Sequence, residues 1–232
     1  MLLLYTGTPG SGKSYHATRD IYDAITIKKI PVIANYGLNL GGIEGADERF
    51  NYCENSELTP DFLVAFANDY WRGHEFKEDG ILCVVDECQL LWNSRTWDDE
   101  RPVSRKYADS IRMKWLQFFS QHRKYGFKII LIAQDDCMID KQFRVLLEYE
   151  VNHRNCSNYG LFGLLLNVVT FGRHFLAVRY YYGKKDRLDS SFIRFRKKYS
   201  RLYNSYKAFE RQVEGAKAPR PGSSVLVSSL TA

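Results

Sequence analysis

A glycine-rich stretch close to the amino terminus combines residue types that together can hold a polyphosphate. Its eight positions are Gly7, Thr8, Pro9, Gly10, Ser11, Gly12, Lys13 and Ser14. Glycines let backbone N–H groups converge on one anion, which side chains would otherwise obstruct. The lysine would reach the β- and γ-phosphates, and the serine hydroxyl would be a ligand of Mg²⁺. The spacing therefore predicts a phosphate-binding P-loop, and the alternative is an ordinary glycine turn before a helix.

Two adjacent carboxylates supply a second part of the predicted chemistry. Asp86 and Glu87 directly follow the apolar run ILCVV. An aspartate at the end of a strand near a P-loop would hold Mg²⁺, directly or through water. Glu87 beside it could orient or deprotonate the water that attacks the γ-phosphate. A solvated turn that happens to carry two acids is the alternative interpretation.

Gln134 and a set of arginines complete the candidate groups. Gln134 follows KIILIA as Asp86 follows ILCVV, so both are predicted at the same carboxyl edge of a parallel sheet. An amide there could hydrogen-bond both water and the γ-phosphate, although a polar loop residue explains it equally well. An arginine could offset charge in the transition state, often from a neighbouring subunit. The candidates, each with a surface role as the alternative, are Arg95, Arg101, Arg105 and Arg123.

The elements that must position these groups alternate between strand and helix patterns. Residues 2–6 form an apolar run that predicts a buried strand before the glycine-rich stretch. After it, apolar residues recur at the spacing of one helix face, at Ala17, Ile21, Ala24 and Ile25. Strand, glycine-rich loop and helix is the order that a P-loop requires.

The chain continues this alternation up to the run KIILIAQ. The run VIANYGL predicts a second strand, residues 43–58 predict a loop, and Thr59 with Pro60 predicts the capped start of a helix. The runs ILCVV and KIILIAQ predict strands covered on both faces, because they lack polar alternation. Between them we expect a loop over 93–105 and a helix near 106–124.

Toward the carboxyl terminus the pattern changes. The alternating stretches LNVVTF and HFLAVRYYY, on either side of Gly172 and Arg173, predict a β-hairpin at the edge of the sheet. The stretch from Ala216, rich in proline, glycine and serine, predicts a flexible tail. We therefore expect one P-loop domain over residues 1–206, followed by a basic and then Pro/Gly/Ser-rich tail over 207–232.

The composition is that of a folded and basic protein. Of 232 residues, 45% are hydrophobic and 15% aromatic, which excludes a chain too polar to fold. The net charge is +6, and residues 184–220 contain twelve Lys or Arg against four acids, so that 12 − 4 = +8 lies there and −2 remains for residues 1–183. Such a segment is either a solvated face or tail, or a contact for nucleic acid or an anionic membrane.

Cysteine usage and apolar stretches bear on the cellular setting. Five cysteines without metal-ligand spacing predict a reduced, intracellular environment. The opening MLLLY lacks the basic flank and cleavage site of a signal peptide. The longest apolar stretch, LFGLLLNVVTFG, is too short and too interrupted to cross a bilayer. We therefore expect the chain, as given, to be soluble.

With these residues in place, the chain resembles the zonular occludens toxin (Zot) family, whose members include the assembly ATPases of filamentous bacteriophages. The likeness rests on GTPGSGKS, on VVDE followed by NSR, on QHRKYGFKIILIAQ and on the aromatic YNSY, and it covers about residues 1–206. It implies an α/β, RecA-like P-loop NTPase fold related to the FtsK/HerA pumps. Such a fold has three layers, a mainly parallel central sheet and here a carboxyl-terminal β-hairpin extension.

The resemblance also implies a function and roles for single residues. The function is an ATP- and Mg²⁺-dependent motor that forms a ring at the cytoplasmic face of the bacterial inner membrane. There it would extrude phage single-stranded DNA while coat subunits assemble. The resemblance assigns nucleotide and Mg²⁺ to Lys13 and Ser14, Mg²⁺ to Asp86 and hydrolysis to Glu87; it further suggests Gln134 as a γ-phosphate sensor and Arg123 as a group acting on a neighbouring subunit.

Membrane-bound members of the family carry one transmembrane helix after the ATPase domain, and this sequence stops before any such helix. Attachment to the inner membrane would therefore need a missing segment or a membrane partner. Other functions fit the same motifs. These are a DNA-packaging or helicase-like ATPase, a small-molecule or nucleotide kinase, and an assembly scaffold that binds nucleotide without turnover. A GTPase lacks support, since no NKxD guanine signature is present.

Overall fold

The computed structural model describes residues 1–93, 105–158, 173–184 and 186–203, and these ranges build one twisted sheet with helices on both faces. The strands, in chain order, are β1 (Leu2–Thr6), β2 (Val32–Ala34), β3 (Phe50–Tyr52), β4 (Ile81–Val85), β5 (Phe127–Ile132), β6 (Tyr149–Asn155), β7 (His174–Tyr181) and β8 (Arg187–Arg194). Their order across the sheet is β3-β2-β4-β5-β1-β6-β7-β8. The first six strands are parallel, whereas β7 and β8 pair antiparallel at one edge.

Within the described ranges, six α-helices connect or follow these strands. They are α1 (Lys13–Asp23), α2 (Ala46–Arg49), α3 (Pro60–Arg72), α4 (Arg105–Gln121), α5 (Lys141–Arg144) and α6 (Lys197–Leu202). A π-helical turn extends α1 over Ala24–Lys28, and a 3₁₀ turn extends α4 over His122–Tyr125. As predicted, α3 begins at Pro60, and the Thr59 hydroxyl caps it by accepting a hydrogen bond of 3.2 Å from the Phe62 N–H.

The central strands are apolar along their whole length because both of their faces are covered. Leu3 and Tyr5 of β1 pack on the side of α1, with Ala17 and Ile21. On the opposite side, the alternate residues of the same strands pack against α3 and α4, with Leu63, Trp115, Phe118 and Phe119 among the buried side chains. The predicted three-layer α/β fold with a mainly parallel sheet is therefore confirmed.

Three details differ from the sequence-based expectations. The predicted loop at 43–58 contains α2 and the short edge strand β3. The sequence of β3 shows no strand pattern, and the strand forms because it pairs in parallel with β2. Strand β6 was not predicted, because its sequence YEVNHRN is polar. In the sheet it lies between β1 and β7. The described hairpin is β7 with β8, and its connection begins after Tyr181.

That hairpin confirms the predicted extension at the edge of the sheet. The prediction made HFLAVRYYY the second strand of the hairpin, whereas in the structure it forms the first strand, β7, and pairs with β8. LNVVTF and Gly172 lie outside the described residues, and so do the predicted tail over 207–232 and most of the predicted loop at 93–105. Strand β8 escaped prediction because it is an exposed edge strand, with seven of its eight residues open to solvent and no apolar alternation. Among the residues that the structure describes, no helix has the length and apolar character needed to cross a membrane.

Candidate nucleotide-binding site

The glycine-rich stretch forms a tight loop between β1 and α1. The Gly7 N–H donates to the Gln134 carbonyl at 3.2 Å, which ties the start of the loop to the end of β5. Gly12 is the residue before α1 and has a left-handed backbone with φ of 98°. The backbone N–H groups of the first helical turn therefore face the mouth of the loop, which is an arrangement that favours anions.

Two glycines in this loop are required by close contacts. A β-carbon at Gly7 would lie 2.4 Å from the His153 carbonyl oxygen, and one at Gly12 would lie 2.7 Å from the Phe175 ring. Both residues also have positive φ, at 138° and 98°, where side chains are strained. The loop can thus keep this path only with glycine at both positions.

Lys13 and Ser14 stand at the start of α1, where a phosphate and its metal would be held. The Lys13 ammonium donates to the carbonyls of Gly7 at 2.7 Å and Thr8 at 3.3 Å. The Ser14 hydroxyl donates to Oδ2 of Asp86 at 3.1 Å. The last residue of the P-loop motif and the end of β4 therefore meet, as the sequence predicted.

Burial disfavours the charged forms of both ionisable side chains at this site, and bound ligands of opposite charge would offset that cost. Burial lowers the pKa of Lys13, and the nearby carboxylates of Glu87 and Asp86 partly oppose that shift. Burial also raises the pKa of Asp86, against the hydrogen bond from Ser14. A hydroxyl and a carboxylate side by side are hard oxygen donors of the kind that Mg²⁺ prefers, so the residues present fit this ion.

Asn35 holds the strand end that carries Asp86, and sequence reasoning missed it. Its side-chain carbonyl accepts the Asp86 N–H at 2.7 Å, and its amide donates to the Asp86 carbonyl at 2.8 Å and to Asn55 at 2.8 Å. Asn35 directly follows β2 just as Asp86 directly follows β4. A polar residue after an apolar strand was the signal that could have identified it.

Glu87 has a backbone conformation that side chains seldom adopt. Its φ is 48°, and strain of this kind in a residue other than glycine is typical of functional sites. The carboxylate is exposed, and it accepts a hydrogen bond from the buried amide of Gln89. This turn directs the carboxylate into the same cavity as Lys13.

One open cavity of about 450 Å³ brings the predicted residues together. Lys13, Ser14 and Glu87 line it, and Gln134 joins them because β5 lies between β1 and β4 in the sheet. The expectation that Gln134 and Asp86 emerge at one edge is thus met in position. The catalytic roles of Glu87 and Gln134 stay predictions.

Of the arginine candidates, the structure describes the side chain of Arg123, and it lies away from the P-loop. Arg123 sits at the opposite, amino edge of the sheet, where its guanidinium binds Glu148 at 2.6 Å and approaches Glu78 at 3.5 Å. Within its own chain it is therefore remote from the P-loop, and its action on a neighbouring subunit stays a prediction. Arg95 and Arg101 lie outside the described residues, and so does the side chain of Arg105.

A pair of histidines behind the P-loop was also missed. Nδ1 of His16 lies 2.8 Å from Nε2 of His153, and the other ring nitrogen of His153 lies 3.3 Å from the Thr6 carbonyl. Burial lowers the pKa of both rings, that of His153 to about 3. The pair therefore links α1 to β6 as neutral rings directly behind the loop.

Comparisons with known proteins agree with this architecture. The family model of the zonular occludens toxin (Zot) matches residues 1–208. The chain is 28% identical over 188 residues to "Gene 1 protein" of Enterobacteria phage I2-2, covering 75% of this chain and 48% of that protein. It is 29% identical over 188 residues to "Gene 1 protein" of Salmonella phage IKe, with the same coverage. The chain thus spans about half the length of the curated relatives it matches.

A solved ATPase domain shares the fold. It superimposes on this chain with a TM-score of 0.52 at 12% identity, covering 87% of this chain and 84% of that one. At this identity the likeness establishes the fold, which is that of P-loop NTPases. Since the family model extends over nearly all of the chain, the protein belongs to the zonular occludens toxin (Zot) family.

Proposed function

We propose that this protein binds ATP with Mg²⁺ at the carboxyl edge of its sheet and hydrolyses it. The observation that carries the proposal is the convergence of Lys13, Ser14, Glu87 and Gln134 on one cavity, with Asp86 bonded to Ser14. These groups come from three different strand ends. Their chemistry matches the separate needs of phosphate, metal and water.

Each group has a defined task in this proposal. The backbone amides of the loop and the Lys13 ammonium hold the β- and γ-phosphates, and Ser14 with Asp86 holds Mg²⁺. Bound Mg²⁺ neutralises charge that develops on the phosphate oxygens. Glu87 accepts a proton from the attacking water or orients that water. Gln134 donates its amide hydrogens toward the γ-phosphate.

We further propose that hydrolysis drives the assembly and extrusion of a filamentous phage at the cytoplasmic face of the bacterial inner membrane. Membership of the Zot family and the phage origin of the relatives support this. The partners would be other copies of the chain in a ring, phage single-stranded DNA, and coat or assembly proteins.

The test is Mg²⁺-dependent ATP turnover by the wild type and by Glu87→Gln. Removal of a general base should lower turnover by about 10²- to 10⁴-fold, while ATP binding is retained. Glu75→Gln is the matched control, because Glu75 is exposed in the segment between α3 and β4. Unchanged turnover in Glu87→Gln would refute the role of this carboxylate. A wild type that binds ATP without turnover would instead identify a scaffold.

Two additions to the same assay examine the motor. Turnover that rises steeply with protein concentration would indicate sites shared between subunits, with room for Arg123 of a neighbouring copy. Strong stimulation by DNA alone would favour the DNA-packaging or helicase-like alternative over coat-dependent phage assembly.

A further inference from the structure

The segment formed by residues 195–203, here named the strap, runs from the end of β8 across α1 to the loop after β2. It contains α6. At its far end the Leu202 carbonyl accepts a hydrogen bond of 2.8 Å from the Asn39 N–H, and Tyr203 pairs with Leu38 as an isolated β-bridge. The strap is therefore anchored on both sides of the helix that begins with the P-loop.

Tyr15 fastens the start of the strap to the first turn of α1. Its hydroxyl donates to the Arg194 carbonyl at 3.1 Å and accepts from the Arg196 N–H at 2.7 Å. Its ring stacks with Phe195 at a centroid distance of 5.4 Å and meets Tyr199 edge-on at 6.0 Å. Both functions of the hydroxyl are thus used in holding the strap, and the position of Phe195 is fixed relative to Lys13 and Ser14.

The strap also forms one wall of the cavity that holds the predicted phosphate site. From Lys13 and Ser14 the lining continues to Tyr15, Phe195, Ser200 and Tyr203. The part of the lining that comes from the P-loop, here called the phosphate end, carries an ammonium, a hydroxyl and backbone amides. The part that comes from Tyr15 and the strap, here called the aromatic end, carries aromatic rings and the Ser200 hydroxyl. That hydroxyl donates to the Lys197 carbonyl at 3.1 Å, and its oxygen can still accept a hydrogen bond.

We infer that the strap binds the nucleoside end of the nucleotide whose phosphates the P-loop holds. A base stacks on the rings of Phe195 and Tyr203, and Ser200 accepts a hydrogen bond from the sugar or the base. This inference rests on the proposed binding of nucleotide at the P-loop. Because any base has a face that can stack, the site should separate nucleoside triphosphates from inorganic triphosphate more strongly than it separates one base from another.

The aromatic residues of the strap thereby receive a different role from the one that the basic run suggested. From the sequence, the basic segment 184–220 that contains them is either a solvated face or tail, or a contact for nucleic acid or an anionic membrane. In the structure, Phe195 and Tyr203 line the nucleotide cavity and are partly buried.

The test is equilibrium binding of ATP and of inorganic tripolyphosphate, each with Mg²⁺, to the full chain. Wild type should bind ATP at least about 10-fold more tightly than tripolyphosphate, since a base that stacks on an aromatic ring adds to the affinity and tripolyphosphate has no base. Phe195→Ala should remove most of that preference and leave tripolyphosphate affinity within about twofold of wild type, because stacking involves the base alone. Phe192→Ala, an exposed aromatic of β8 outside the cavity, is the matched control and should behave as wild type.

A second variant, Tyr203→Leu, keeps side-chain bulk and should also lower ATP affinity selectively. Equal affinity of wild type for ATP and tripolyphosphate would overturn the inference while leaving the P-loop proposal intact. So would ATP affinity unchanged in both Phe195→Ala and Tyr203→Leu, or an equal loss for both ligands, which would mark the strap as purely structural. Failure of wild type to bind either ligand would overturn the P-loop proposal and this inference together.

Discussion

At the phosphate end of the cavity Lys13 and Ser14 belong to one continuous motif, whereas at the other end Tyr15 bonds to a residue 179 positions away. The phosphate end depends on backbone amides and charge, which a short sequence pattern can specify. The aromatic end depends on contacts between the first helix and the last described elements. A short motif can therefore identify a phosphate site, whereas the residues that bind the rest of the ligand are identified only from the structure.

We expect the phosphate end to depend on a residue outside its motifs, Asn35, which holds Asp86 in place. Asn35→Ala should lower turnover by about 10- to 100-fold, since a small displacement of Asp86 disturbs the metal site. It should also lower the free energy of unfolding by about 1–3 kcal/mol, because the Asp86 N–H loses its partner. Turnover assays and urea unfolding measure the two effects.

Asn51→Ala is the matched control for that variant. Among the described residues, the side chain of Asn51 on the edge strand β3 makes two long hydrogen bonds, both of 3.4 Å. We expect its turnover to equal that of wild type. Equal turnover of Asn35→Ala and wild type would show that the strand end holds Asp86 without help, and the phosphate end would then depend on its motifs alone.

A smaller effect concerns the histidine pair behind the loop. The pKa of His153 is lowered from 6.5 to about 3 by burial, so the unfolded chain binds more protons between these pH values. Stability must then fall as pH drops below about 6.5. From pH 7 to pH 5.5 the loss from His153 is about 1 kcal/mol. The lowered pKa values of His16 and His122 act in the same direction.

Urea unfolding at both pH values, for wild type and His153→Gln, isolates this contribution. The raised pKa of Asp86 works in the opposite direction, because protonation of that buried carboxyl stabilises the folded state as pH falls. It is present in both proteins and cancels in the comparison. A pH profile of His153→Gln as steep as that of wild type would contradict the assignment.

Much of the fold could be predicted from the sequence, for a physical reason. The runs ILCVV and IILIA are buried on both faces, and helix α3 begins at its predicted Thr59 cap. Burial and capping act over a few residues and leave a local pattern. Strands β3, β6 and β8 leave no such pattern, because β6 is polar and pairs with the distant β1, while β3 and β8 are edge strands without apolar alternation.

The site divides along the same line. Lys13, Ser14, Asp86 and Gln134 lie where strand ends and the glycine loop predicted them. Asn35 also follows a strand end, but its bond to Asp86, like the contacts of the strap, joins elements far apart in the chain and leaves no local pattern. For Arg123, the sequence of one chain is not enough. Its position follows from the helix before β5, but the nucleotide site on which it is proposed to act lies in another subunit.

Phosphate binding by the loop before α1 is tested by calorimetric titration of MgATP into wild type and Lys13→Ala. Lys77→Ala is the control, because Lys77 is an exposed lysine. We expect binding by wild type and Lys77→Ala, and a loss of at least about 100-fold in Lys13→Ala, since hydrogen bonds from an ammonium to phosphate are strong. Equal affinity of Lys13→Ala and wild type would contradict the claim that the loop before α1 holds the phosphates.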